Sequence, residues 1–110
     1  MITVIFEVWP HAEGRGEYLD IAARLMEHLK QMDGFISVER FQSLVDPGKL
    51  LSLSFWRDEE AVKAWRNFEL HRGAQQKGRN ELFANYRLRI GPIMRDYGPN
   101  DRHQAPKDSG

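Results

Sequence analysis

The chain has 110 residues, of which 41% are hydrophobic and 29% are charged, and its 16 basic residues balance 16 acidic ones. This length suits one domain with one core, and the composition is that of an ordinary globular protein rather than a disordered or collagen-like one. A nucleic-acid-binding domain usually carries a basic excess, so the balanced charge argues against that partner.

The N-terminal sequence, the length of the apolar runs and the cysteine content indicate the cellular location of the protein. The chain starts directly in a strand-like run, without a basic segment, an apolar stretch and a cleavage site, so we expect no signal peptide. No apolar run approaches the roughly 20 residues of a membrane span. The chain has no cysteine, which excludes disulfides and thiolate chemistry. We therefore expect a cytoplasmic protein that binds neither membranes nor nucleic acid.

The first third of the chain predicts a strand and then a helix. Residues 1–9 alternate with a period of two, and Pro10 then removes a backbone donor. Residues 17–32 change to a helical period, and Asp33-Gly34 supplies the stop. The apolar stripe of this helix consists of Tyr18, Ile21, Ala22, Leu25, Leu29 and Met32.

Two further strands are predicted over residues 35–44 and 49–56. They are joined at Asp46-Pro47-Gly48, which is a strong turn signal. In the second of these strands, Leu51, Leu53 and Phe55 point one way, whereas Ser52, Ser54 and Trp56 point the other way.

The last part of the chain predicts two helical pieces and a strand. Asp58 is a plausible N-cap of a helix whose stripe includes Trp65. A kink near Asn67 separates it from a second piece over residues 69–78, and the last strand covers residues 86–94. Residues 98–110 hold no large apolar side chain and are expected to form a flexible tail.

The order β-α-β-β-α-β predicts an α+β fold of ferredoxin-like topology, with a four-stranded antiparallel sheet, over residues 1–97. The helices cover only one face of such a sheet. If Phe6, Leu53 and Phe55 face the helices, the other face carries Ile5, Trp9 and Trp56. An apolar patch of that size predicts a homodimer formed through the sheet face. The alternative is a monomer whose C-terminal segment folds back over the sheet.

Several segments carry a resemblance to a known family. They are Asp33–Phe35, Ser54–Ala61, Ala64-Trp65, His71–Gln75 and Tyr86–Leu88. Together they resemble the antibiotic biosynthesis monooxygenase (ABM) family over residues 1–97. The resemblance implies a dimeric α+β barrel. It also implies one of several activities: cofactor-free oxygenation of polycyclic aromatic compounds, haem binding and degradation, or small-molecule catabolism.

Two side chains are the first candidates for chemistry. Trp65 is either a core residue or the wall of a cleft between helix and sheet. His71 is either a general base or iron ligand, or a surface or capping histidine at a helix junction. The resemblance places the axial histidine of the haem-degrading branch near Ala74-Gln75, and an asparagine where this chain has Glu7-Val8. Both departures weigh against carrying over the mechanism of that branch residue by residue, and they leave haem binding in another pose open.

Cofactor-free oxygenation requires a base, a polar group that holds a developing oxyanion, and aromatic walls. We assign His71 as the base and Asn67 or Arg72 as the polar stabiliser, with Trp65, Phe68, Phe83 and Tyr86 as the aromatic walls. The catalytic candidates are thus His71, Trp65 and Asn67. The substrate-binding candidates are Phe68, Arg72, Phe83 and Tyr86. Asn67 and Arg72 have the alternative of being solvated helix residues.

The leading hypothesis is thus a monooxygenase-like enzyme that acts on a small aromatic or polycyclic ligand without metal or flavin. Haem, bound through His71, is the cofactor of the second hypothesis. The third is a ligand-binding dimer without catalysis. No pair of histidines at helical spacing with a glutamate suggests a metal site.

Overall fold

The computed structural model describes residues 1–109, apart from the side chains of residues 69 and 70. Its strands are β1 (Ile2–Pro10), β2 (Phe35–Gln42), β3 (Leu50–Trp56) and β4 (Phe83–Pro92). Its α-helices are α1 (Arg15–Leu29), α2 (Glu59–Arg66) and α3 (Glu69–Lys77). A short 3-10 turn precedes α1, and one turn of π-helix over Gly78–Leu82 leads from α3 into β4.

The four strands form one antiparallel sheet in the order β2-β3-β1-β4. This order confirms the ferredoxin-like α+β fold, in which one strand of the other β-α-β unit lies between the two strands of each unit. The predicted kink near Asn67 is also confirmed, because α2 ends at Arg66 and α3 begins at Glu69. Of the predicted tail, Gly110 lies outside the described residues.

Two local signals fix the junction between the sheet and α2. The Asp58 carboxylate accepts a hydrogen bond from the backbone N–H of Ala61 at 2.9 Å, as expected of an N-cap. Gly34 has a φ of 85°, a left-handed conformation that glycine adopts without strain. A Cβ at Gly34 would lie 2.6 Å from the Cβ of Ala61, so this turn also requires glycine for space.

The register of β1 against β3 decides which side chains face the helices. Residues paired across an antiparallel ladder share a face. Ile2 pairs with Trp56, Val4 with Ser54 and Phe6 with Ser52. We call this side of the sheet the covered face, because Trp56 is only 2% exposed and packs with residues of α1 and α2.

The opposite side, the open face, carries side chains of all four strands. These include Ile5, Trp9, Phe41, Leu51, Leu53, Phe55 and Arg89. Ile5 and Trp9 lie there as predicted. The assignment of Trp56 to this face, and of Leu53 and Phe55 to the helix side, is wrong. Pairing with β1 sets the orientation of β3, and it turns Ser52, Ser54 and Trp56 toward the helices and Leu53 and Phe55 away from them.

The core lies between the covered face and the helices, in two clusters. The larger is built around Leu29, Trp56, Ala61, Val62 and Trp65. The smaller consists of Val8, Tyr18, Leu50 and Leu82. The molecule is only 19 Å thick along its shortest axis, which corresponds to one layer of helices on one sheet.

On the open face, Glu7 forms ion pairs with both Lys49 and Arg89. These two cations lower the pKa of the Glu7 carboxyl. Nearby, the indole N–H of Trp9 donates to Asp46 at 2.8 Å, which ties the strand to the β2–β3 turn. Within residues 1–109, none of the helices has the length and apolar character that a membrane crossing demands.

Candidate functional site

A cavity of about 280 Å3 lies between the covered face and the helices. Two rows of paired residues form its floor, and each row contains one residue from each of the four strands. The first row is Arg40, Ser52, Phe6 and Leu88, and the second is Val38, Ser54, Val4 and Ile90. The roof comes from α1, α2 and α3 and consists mainly of apolar and aromatic side chains. The volume lies just below the usual range for small-molecule pockets, about 300–1,000 Å3.

The mouth of the cavity lies over β4. Tyr86, Leu88 and Ile90 line the cavity and are nevertheless 40%, 44% and 46% exposed. The helices therefore leave this edge of the covered face accessible. Phe83, at the start of β4, closes one end and contacts Tyr86 with ring centroids 6.1 Å apart.

Trp65 occupies the inner side of α2 because the apolar positions of this helix recur at helical spacing. It is 8% exposed and belongs to the larger core cluster, yet it also lines the cavity. Its indole stacks on the ring of Phe68 at 5.6 Å and on that of His71 at 4.6 Å. The two alternatives, core residue and cavity wall, thus describe two sides of the same side chain.

His71 lies in the cavity wall, where it contacts both the ring and the backbone carbonyl of Trp65. Its Nδ1 lies 3.1 Å from the carbonyl oxygen of Trp65. Because a carbonyl only accepts, the hydrogen in this contact belongs to Nδ1, and in the neutral ring Nε2 then carries the free lone pair. Burial lowers the pKa of His71 from its usual 6.5, although the Trp65 carbonyl opposes this shift. The imidazole is therefore neutral near pH 7 and has the protonation state of a base.

The structure places the other predicted site residues in two groups. Phe83 and Tyr86 line the cavity together with Trp65 and His71. Asn67 and Arg72 are exposed and bind each other, the Arg72 guanidinium donating to the Asn67 side-chain oxygen at 2.6 Å. Neither is part of the cavity lining, and the ring of Phe68 lies behind Trp65 rather than in the cavity.

Several lining residues do not follow from the sequence pattern, and Arg40 is the most distinctive of them. Arg40 lies on β2, on the same face as Val38, and its side chain reaches the cavity. Its Nε is buried and has no hydrogen-bond partner among the described residues. The signal was present in the period of two: Arg40 pairs with Ser52, and Ser52 with Phe6, so a correct face for β3 would have turned this arginine inward.

The polar side chains near the cavity are few and of mixed type. Within the described part of the chain, no three His, Cys, Asp or Glu side chains come together to hold a metal ion. The polar groups at the cavity are hydroxyls, arginines, one glutamine and the imidazole of His71. Ser54, the most buried of them, accepts a hydrogen bond from the indole of Trp56 at 2.9 Å.

Comparisons with known proteins agree on one family. The family model described as antibiotic biosynthesis monooxygenase matches residues 1–77. A curated relative, the jasmonate monooxygenase ABM of Pyricularia oryzae, is 43% identical over 101 residues. The match covers 92% of this chain but 47% of the relative, so the chain spans about half the length of that protein.

Solved structures show the same fold at low sequence identity. The Rv0793 protein of Mycobacterium tuberculosis is 16% identical with a TM-score of 0.79, over 88% of this chain and 98% of that one. A crystal structure of an antibiotic biosynthesis monooxygenase gives a TM-score of 0.73 at 17% identity, over 84% and 98%. With the family model matching well over half of its length, the chain belongs to the antibiotic biosynthesis monooxygenase family.

Proposed function

We propose that this protein is a monooxygenase that oxidises a small, largely apolar organic compound in the cavity, without a metal or flavin. The observation that carries the proposal is the state of His71. It is a half-buried, neutral imidazole that is oriented by a backbone carbonyl and stacked on Trp65 in a mainly apolar wall. The Pyricularia relative, whose name gives jasmonate as its substrate, supports a small organic molecule as the ligand.

The chemistry suits a substrate with a methylene group next to a carbonyl or an enol. Nε2 of His71 accepts a proton from this carbon, and the resulting carbanion transfers its electrons to dioxygen. The carbon–oxygen bond that forms gives a hydroperoxide, which loses water to leave a ketone. One oxygen atom of dioxygen ends in the ketone and the other in water, and both methylene hydrogens leave with that water. The reaction therefore balances without an external reductant.

The remaining lining supports this step physically. Apolar walls exclude water, which strengthens the electrostatic interactions inside the site and protects a carbanion from being reprotonated. Trp65, Phe83 and Tyr86 offer aromatic surfaces to a planar substrate. The mouth over β4 gives both the substrate and dioxygen a route to His71.

The test uses anthrone, a three-ring compound with one activated methylene group. We expect wild-type protein to accelerate oxygen uptake and to place a single labelled atom from heavy-isotope dioxygen in the product. His71→Ala should reduce the rate by about 100-fold or more, the usual contribution of a general base. His11→Ala, at an exposed loop position, is the matched control. Equal rates for wild type and His71→Ala would overturn the proposal.

The alternative of a haem protein has its own test. A haem macrocycle needs more room than about 280 Å3, so the cavity favours a smaller ligand. Titration with haemin should therefore give no saturable Soret band. A saturable band that disappears in His71→Ala would instead support haem binding and contradict the proposal.

We also propose that the protein works as a homodimer through the open face. This face carries half-buried apolar side chains of the central strands, and the 19 Å thickness of the described residues corresponds to one sheet and one layer of helices. Glu39 lies on one edge strand and Arg87 and Arg89 on the other, so a two-fold partner that lays β2 over β4 pairs opposite charges. The roughly doubled length of the Pyricularia relative leaves room for a second such domain in one chain.

A further inference from the structure

Arg40 has a position that the proposed oxygen chemistry leaves unexplained. Its side chain forms one end of the cavity floor, and its Nε is buried without a hydrogen-bond partner among the described residues. A buried donor without a partner costs about 1–3 kcal/mol, and native structures contain few of them. An apolar residue of the same length would fill the same space without that cost.

The charged side chains that line the cavity are all positive. Three arginines line it, Arg40 in the floor and Arg66 and Arg79 at exposed positions of the helical side. The described lining contains no aspartate or glutamate. The cations at this cavity therefore have no internal counter-ion, and Arg40 is the one whose donor is withdrawn from water.

The cavity floor also has a polar end and an apolar end. Arg40 lies on the edge strand β2, whereas Leu88 of the same row lies on the opposite edge strand β4. Three strand spacings separate them, roughly 14 Å. Phe6 lies between them, and the apolar mouth is at the β4 end. A ligand that spans the floor would thus place one end on a guanidinium and the other on leucine and isoleucine.

We propose that Arg40 binds a carboxylate of the substrate, so that the cavity selects small apolar acids over their neutral analogues. The planar fork of a guanidinium matches a carboxylate with two parallel hydrogen bonds, and Nε is one of the donors it uses. This inference rests on the proposed function in one respect only, since it takes the cavity as the substrate site.

The experiment compares 2-naphthoate with 2-naphthamide, which has the same rings but no charge. Binding is followed by calorimetry with the wild type, Arg40→Met and Arg40→Lys. We expect Arg40→Met to weaken binding of the acid by about 10- to 100-fold and to leave the amide unchanged. Arg40→Lys should retain part of the acid affinity, because it keeps the charge but loses the fork. Arg24→Met, on the exposed side of α1, is the control.

Thermal unfolding separates a binding role from a structural one. Because Arg40 has no described partner to lose, Arg40→Met should unfold at the same temperature as the wild type or above it. Equal wild-type affinity for acid and amide, no binding of either, or an equal loss of both in Arg40→Met would overturn the inference.

The inference and the proposed function fail separately. Acid selectivity that depends on Arg40 in a protein without oxygen uptake would leave the inference intact and contradict the oxygenase. Oxygen uptake from anthrone that depends on His71, in a protein indifferent to Arg40→Met with 2-naphthoate, would do the reverse.

Discussion

In the middle of β3, the side chains on the two faces of the sheet are arranged the opposite way from what their surroundings suggest. On β3, the strand at the centre of this contrast, Ser52 and Ser54 turn toward the helices, whereas Leu53 and Phe55 turn away from them. A sheet with one solvated face usually shows apolar residues inside and polar residues outside. At this point of the sheet the covered face presents two hydroxyl groups to a cavity, and the open face presents large apolar side chains that we expect a second subunit to cover.

The charges follow the same division. On the covered face Arg40 is half-buried without a described partner. On the open face Glu7 is paired with both Lys49 and Arg89. Paired charges are compatible with an interface between subunits, whereas an unpaired donor in a cavity is a means of holding a ligand. The difference shows that burial alone does not tell a core from a binding site.

The largest effect that tests this division comes from neighbouring residues on opposite faces. Trp56→Ala should lower the free energy of unfolding by about 3–5 kcal/mol, because Trp56 is almost fully buried under α1 and α2. Phe55→Ala should cost clearly less in dilute protein, where the open face is uncovered. Urea denaturation at two protein concentrations measures both. Equal losses in dilute protein would break the comparison.

The proposed dimer can be broken from the open face alone. Leu53→Asp places a charge in the apolar centre of this face and should weaken self-association by about 2 kcal/mol or more. Leu19→Asp, at a 38% exposed position of α1, is the matched control and should leave the mass unchanged. Light scattering over a dilution series measures the effect. A wild-type protein of monomer mass throughout would contradict the dimer.

A smaller effect should appear at the roof of the cavity. Asp58→Ala removes the N-cap of α2 and should cost about 1 kcal/mol of stability. Because α2 positions Trp65, we expect the variant also to bind 2-naphthoate more weakly. Asp20→Ala, exposed on α1, serves as the control. Weaker self-association in Asp58→Ala would contradict the separation of the two faces.

The smallest expected effect is a pH dependence that originates in His71. Its pKa is lowered in the folded protein, so the unfolded chain takes up a proton first as the pH falls below 6.5. Stability should therefore be lost in that window, and the acidic limb of the oxygenation rate should lie below pH 6.5. His71→Gln should remove this part of the dependence in urea titrations from pH 7 to about pH 5. An unchanged dependence would show that the imidazole is not buried.

Much of the fold could be predicted because its signals are local. The left-handed turn at Gly34, the N-cap at Asp58 and the kink near Asn67 each depend on a few neighbouring residues. The predicted end of the first helix at residue 32 is wrong by three residues, because α1 ends at Leu29. The orientation of β3 could not be predicted in this way, because the register with β1 is a contact between residues about fifty positions apart. The rule that large apolar residues face the helices then gave the wrong side.

The candidate site was predicted in part for the same reason. Trp65 lies in the last turn of α2 and His71 in the first turn of α3, and the predicted kink between these helices brings the two rings together. Arg40 was missed because its place in the cavity depends on the pairing of β2 with β3. Asn67 and Arg72 were assigned to the site because they are close in sequence to His71. Asn67 lies in the kink and Arg72 on α3, and both are exposed to solvent.

The central claim is that the covered face binds the ligand and the open face binds protein. Two-dimensional NMR of the labelled protein, with 2-naphthoate added in steps, tests it most directly. We expect the largest shift changes at Arg40, Ser52, Trp65 and His71, and none at Leu51, Leu53 and Phe55 beyond those caused by dilution. Changes centred on Leu51, Leu53 and Phe55, or no changes at all, would contradict the account.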